Sequence, residues 1–114
     1  MNMPKISESP FFTAFCPQGA SPGHASTDIT GNGTAINGGT GEWLFVLEDV
    51  IEQGLPDSQL VFHVGLSTGT NIPKGISWGL GTAGLGQPTV QLYRNDTGAA
   101  VDLAFTLTVS RRTP

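Results

Sequence analysis

The chain holds a single cysteine, only five lysines and arginines, and no long apolar run, and each shortage removes a class of protein. Cys16 has no second cysteine to pair with, so no intrachain disulfide can staple the fold. With two histidines and no His/Cys cluster at ligand spacing, no zinc or other transition-metal site is expected, and no cofactor. Five basic residues against nine acidic ones give a net charge of −4 over 114 residues. No basic stripe is left to neutralise phosphates, which disfavours nucleic-acid binding through the backbone. Nothing approaches the roughly 18 apolar residues of a membrane helix, and the opening MNMPKISESPFF lacks the basic-then-apolar order of a signal peptide. The expectation is synthesis in the cytoplasm, without a membrane partner.

Charge itself is scarce. Charged residues make up 12% of the chain, about half the usual share, so Thr, Ser, Gly, Asn and Gln must cover the surface. A surface that neutral suits contact with other protein. The length allows one core, hence one domain. Within it the composition changes near Gly41. The run from Cys16 to Gly41 holds seven glycines, two prolines and one charged residue, Asp28. Residues 1–41 therefore read as an extended Gly/Pro-rich N-terminal arm, with an edge strand at 11–16 confined by Pro10 and Pro17. Residues 42–114 read as a β-rich body.

In the body, Val101, Leu103, Phe105, Leu107 and Val109 alternate with Asp102, Ala104, Thr106, Thr108 and Ser110, the period of a half-buried strand. Thr89 to Arg94 alternates likewise, and the NDTG between them has hairpin-turn chemistry, so the two segments are expected to pair antiparallel. Gln59 to Leu66 carries apolar residues on both faces and is expected to be a central strand. Ile76 to Leu80 is a shorter strand. In EWLFVLEDVIEQG, Trp, Phe and Val favour a strand to Leu47, followed by a turn of helix or a loop, over a helix throughout. Six or seven short strands with Gly- or Pro-bearing turns make an all-β fold: a single small β-sandwich, barrel or jelly roll.

Two motifs mimic catalytic ones. GLSTG, Gly65 to Gly69, matches the serine-hydrolase elbow, but TNIPKG follows where that elbow needs a helix. GLGTAG, Gly79 to Gly84, matches a dinucleotide-binding loop, but LGQPTVQL follows where the loop needs its helix. No paired carboxylates sit in a recognisable frame, so no catalytic residue is assigned and the chain is not expected to be an enzyme. Glu48, Asp49 and Glu52 belong to an acidic cluster whose spacing fits no calcium loop. Arg111 and Arg112 lie past the longest strand, and the two clusters are candidate charge contacts in a head-to-tail association. Trp43, Trp78 and Tyr93 are candidate interface aromatics, or a stacking platform for a glycan.

PQGASPGHAST, residues 17–27, resembles the N-terminal arm of lambda-type phage head-decoration proteins, which carry a similar Pro-Gln-Gly, then Pro, His and Thr pattern. The likeness covers about a tenth of the chain and brings no catalytic residues. It implies a small β-rich protein that trimerises on the outside of a phage capsid and docks through its arm. A neutral arm that cannot form its own core gains order by adding strands to another subunit's sheet, which makes Pro17, Gln18, Thr27, Ile29 and Thr34 candidate docking residues. The expectation is a structural virion protein, a capsid decoration or related accessory component. The alternative is a small carbohydrate-binding β-sandwich.

Overall fold

Strand alternation, expected of the body, extends through much of the glycine-rich region as well. The computed structural model describes residues 10–66 and 75–112. Its strands are β1 (Pro10–Cys16), β2 (Ile29–Thr30), β3 (Gly33–Gly39), β4 (Glu42–Leu47), β5 (Leu60–Leu66), β6 (Ile76–Thr82), β7 (Pro88–Arg94) and β8 (Phe105–Arg111). A six-residue helix, α1 (Glu48–Gln53), and a 3-10 turn at Asp57–Gln59 lie between β4 and β5. Two antiparallel four-stranded sheets result, ordered β2-β1-β8-β5 and β3-β4-β7-β6. The fold is an all-β sandwich.

Every second residue of the inner strands faces the space between the sheets. Phe12, Ala14 and Cys16 on β1 and Phe105, Leu107 and Val109 on β8 meet Ala35, Trp43, Phe45, Leu47, Val90 and Leu92 from the other sheet, all of them buried. The Phe45 ring stands edge-on between Phe12 and Phe105, with centroids 6.4 and 6.5 Å away, so three aromatics lock the sheets together. Each large side chain removed from water contributes about 1.5–3 kcal/mol. The segment from 42 to 53 behaves as expected: strand to Leu47, then one short helix. Its first amide, Glu48 N, donates to the Asn32 carbonyl (3.2 Å), and Gly54 ends it in a left-handed turn.

Three expectations about strand neighbours are corrected. β7 and β8 do not pair; they lie in different sheets, β7 between β4 and β6, β8 between β1 and β5. The NDTG turn does fold residues 99–101 back on β7, with Arg94 N donating to Ala99 O and Val101 N to Leu92 O. The chain then crosses to the other sheet over residues 101–104. Val101 and Leu103 still pack against the core in that crossing, which is why the alternation looked like uninterrupted strand. β5 is an edge strand, not a central one: its apolar inner face is Leu60, Phe62, Val64 and Leu66, while Val61 and exposed His63 face outward. β1 is not an edge either, because β2 covers Thr13 and Ala14 on its far side.

The largest correction concerns the arm. Residues 10–41 are built into the sandwich, with β1 in one sheet and β3 paired along its length to β4. Between them the segment 23–30 laps from one sheet to the other. Ser26 N donates to Ala35 O (2.8 Å), Asn37 N to His24 O (2.8 Å) and Gly23 N to Asn37 O (2.7 Å) on the β3 side, and Phe15 N to Asp28 O (2.9 Å) on the β1 side. Gly19 N reaches the Asp102 carboxylate (2.7 Å), which fastens the start of this strap to the 101–104 crossing. Glycine is demanded where the chain runs closest to itself. A Cβ on Gly31 (φ +100°) would collide with the Phe11 carbonyl oxygen, and one on Gly41 (φ +65°) with that of Val101.

Since Ala35 and Asn37 turn their main-chain groups to the strap, Thr34 and Ile36 turn theirs to β4. Thr34→Pro therefore deletes a ladder bond inside the domain and leaves a β4 carbonyl unpaired, at about 1–3 kcal/mol. Circular-dichroism melting is expected to show a Tm lower by roughly 5–15 °C. An unchanged melt would mean that β3 is not paired as described.

Candidate functional site

The strap leaves the two sides of the sandwich unequal. On the β2/β3 side, β2 is two residues long and the free edge of β3 is occupied by residues 23–26. On the opposite side, β5 and β6 end their sheets with no further strand among the described residues. Asn95 N donates to Gly75 O and Ala83 N to Gln87 O, so the odd residues of β6 bond to β7 and the even ones, Ile76, Trp78, Leu80 and Thr82, turn their amides and carbonyls outward. Arg112 N donates to Gln59 O, which by the same alternation leaves Leu60, Phe62, Val64 and Leu66 of β5 facing outward.

The side chains on these edges are apolar. Trp78 lies opposite buried Leu92 and Leu80 opposite buried Val90, so both point to the inner face, yet Trp78 is 39% and Leu80 43% exposed. β6 overhangs the cover that the other sheet provides. A hollow of about 290 Å³ opens between the two edges, lined by Leu60 and Phe62 from β5, Leu80, Gly81 and Thr82 from β6, and Asp57, Gln87 and Pro88 nearby. Leu85, in the turn after β6, adds a further apolar side chain at 54% exposure. Neither β5 (LVFHVGL) nor β6 (ISWGLGT) carries a lysine, an acidic residue or a proline, the usual guards of an open edge.

The residues singled out in the sequence are scattered over the molecule. Ile29 and Thr34 are paired within β2 and β3; Thr27 lies in the strap, and Pro17 and Gln18 lie in the turn after β1, with Gln18 and Thr27 exposed. Ile29 and Thr34 do not belong to a free docking arm, because their strands are paired inside the sandwich. Trp43, Trp78 and Tyr93 form no platform: Trp43 is fully buried, Trp78 faces inward at the β6 edge, and Tyr93 pairs with Ser77 on the outer face. Glu48, Asp49 and Glu52 are on α1, and Arg111 lies beside that helix, its Nη1 donating to Gln53 Oε1 (3.4 Å). Asp49 and Arg111 line one small hollow, with Phe11, Gln53 and Leu55. The two charge clusters are thus neighbours in one molecule, which removes the geometry of a head-to-tail contact between them. Arg112 is exposed, and its main-chain N–H donates to Gln59 O at the end of the 3-10 turn before β5.

Of the two motif matches, GLGTAG runs along β6 into the turn before β7 and opens no helix, while Ser67 to Gly69 of GLSTG lie outside the described residues. Among the described residues no group of three His, Cys, Asp or Glu side chains converges on a metal-sized space. The ion pair Arg94–Asp96 (2.8 Å) sits on the exposed hairpin tip, where the hydrogen bond from Arg94 holds the Asp96 carboxyl below its ordinary range. In comparisons with known proteins, no family model, no curated protein and no solved structure matches the chain.

Cys16 is the one thiol, and it lies in the core, where loss of solvent pushes its pKa from the ordinary 9.0 to about 12. A neutral, enclosed thiol is a poor nucleophile. At pH 8, dithionitrobenzoate is expected to leave the folded protein unlabelled and to label one thiol once urea unfolds it. The folded state holds its thiol proton more tightly than the unfolded chain, so this group's share of stability is lost as pH rises from about 9 towards about 12. Rapid labelling of native protein would show that this core is open.

Proposed function

We propose that the protein is a non-enzymatic structural component of a virus particle, a capsid decoration or stabilising protein or a related capsid or tail accessory. In this reading it assembles with copies of itself, in the threefold stoichiometry the resemblance implies, and with a shell or tail protein. The observation that carries the reading is the unequal sandwich: among the described residues, one side is closed by the chain's own strap and the other ends in two apolar edges, β5 and β6. A solitary domain gains nothing from such edges, which invite strand addition, whereas an assembling subunit uses them. The sparse surface charge supports the same reading, since little desolvation opposes protein contact.

With residues 17–41 committed to the domain, the docking role assigned to an arm passes to residues 1–9, ahead of β1. Removing residues 1–9 is expected to leave the β-sheet spectrum and Tm nearly unchanged, because MNMPKISES offers little apolar surface. Co-sedimentation with particles stripped of this protein should fall several-fold. Full-strength attachment by the shortened chain would contradict the docking role.

A further inference from the structure

The dipeptide Asn-Gly occurs twice in the chain, at Asn32–Gly33 and at Asn37–Gly38, and the fold treats the two differently. We propose that Asn32–Gly33 is a site of self-modification: in the folded protein the Gly33 amide nitrogen attacks the Asn32 side chain, and the resulting conversion to aspartate and isoaspartate unties the β2–β3 turn from α1. Asn37–Gly38 is held unreactive by the strap. The inference stands apart from the assembly reading, since it concerns the other side of the sandwich and needs only water.

An asparagine followed by an unhindered amide carries its own nucleophile. The Gly33 nitrogen forms a bond to Asn32 Cγ, the Cγ–Nδ2 bond breaks, and Nδ2 leaves as ammonia with the proton that Gly33 gives up. The five-membered imide then takes up one water. Cleavage between Gly33 N and Cγ gives aspartate; cleavage between Gly33 N and the main-chain carbonyl carbon of residue 32 gives isoaspartate, in which the chain runs through Cγ. Nothing is oxidised or reduced.

Ring closure requires the side chain to swing onto the next amide while the main chain turns, so it is fastest where neither is held. Asn32 is exposed in the turn between β2 and β3, with Gly31 before it and Gly33 after it. The Gly33 N–H turns away from β4, because Thr34 and Ile36 make the ladder bonds to that strand. Two long bonds restrain the asparagine, from Glu48 N to its carbonyl (3.2 Å) and from its Nδ2 to Asp49 Oδ1 (3.3 Å). Asn37, by contrast, is 2% exposed. Its N–H donates to His24 O (2.8 Å), its carbonyl accepts from Gly23 N (2.7 Å) and its Oδ1 accepts from Gly39 N (3.0 Å), which pins main chain and side chain together.

Packing imposes the glycine that makes Asn32 reactive. A Cβ on Gly33 would collide with the Val46 carbonyl oxygen and with the Phe12 ring. The reaction acts on a joint of the fold, because α1 has no side-chain cap of its own and its first amide is bonded to the Asn32 carbonyl. Aspartate removes the donor to Asp49 and sets a second carboxylate against it. Isoaspartate also lengthens the chain by one carbon ahead of Gly33 and turns the carbonyl that held Glu48 N into a carboxylate outside the chain. Either product loosens the corner where β3, β4 and α1 meet.

Ageing the protein at pH 8 and following the peptide that spans both asparagines by electron-transfer mass spectrometry tests the site. In native protein Asn32 is expected to convert at least about tenfold faster than Asn37, with isoaspartate among the products, whereas in urea the two should convert at similar rates. Aged wild type is expected to melt roughly 3–8 °C below fresh protein. Asn32→Gln keeps a side-chain amide at this exposed position but closes its larger ring slowly, so its Tm should survive the same treatment. Native Asn32 converting no faster than Asn37 overturns the site. Conversion at Asn32 that leaves the Tm of aged protein unchanged overturns the untying of α1, and so does an equal loss of Tm in aged Asn32→Gln, which would place the damage elsewhere.

Discussion

A few main-chain hydrogen bonds made by residues 23–28 hold the two sheets closed on one side, and the rest of the architecture follows from them. Three join this strap to β3 and one joins it to β1, with Ser26 Oγ adding a bond to the Phe15 carbonyl. Each is worth about 0.5–1.5 kcal/mol net. That is modest singly, but together they fix β1 and β3 so that Phe12 reaches Phe45. A strap with bulky side chains would not lie this close to both sheets. The glycine-rich composition, which buries little apolar surface of its own, is what permits it to serve as a clasp over a core supplied by others.

Closure on one side defines openness on the other. The strap blunts β3, and the shortness of β2 leaves little to pair with there. The chain supplies no such cover for β5 and β6 among the described residues, and their apolar inner side chains run out to the rim. The contrast is chemical as well as geometric, because neither β5 nor β6 carries a lysine, arginine or acidic residue of its own, while α1 holds Glu48, Asp49 and Glu52. This division of the surface is the feature on which the proposed assembly role rests.

Much of the body was legible from side-chain period alone. The Phe105 to Val109 alternation is β8, and the crowding of Trp43, Phe45 and Val46 followed by Glu48 and Asp49 marks the passage from β4 to α1. Partnerships were not legible. Val101 and Leu103 alternate whether the chain is in a ladder or crossing between sheets, so β7 and β8 looked like a hairpin. Apolar residues on both faces of β5 suggested two covered faces, whereas an edge strand of a thin sandwich shows the same pattern. β3 escaped notice because a strand of Gly, Thr, Ala and Asn owes its place to main-chain bonds, which leave no mark on hydrophobic period. As for the candidate site, Trp43, Trp78 and Tyr93 were singled out together; Trp78 is half-exposed and Trp43 buried, and residue type does not distinguish the two tryptophans. Leu80 and Leu85 were missed; the clue was the absence of any charge or proline along β6.

Amide hydrogen exchange followed by NMR on dilute protein tests the central claim, that the glycine-rich strap is bonded into the domain. Ser26, Asn37 and Phe15 donate to main-chain carbonyls across the strap and should exchange at least about a hundredfold more slowly than a free peptide, while Trp78 and Leu80, whose amides face outward from β6, should exchange quickly at concentrations too low for association. Free-peptide exchange rates at Ser26 and Asn37, in a protein whose β8 amides remain protected, would contradict it and return residues 17–41 to the role of an unattached arm.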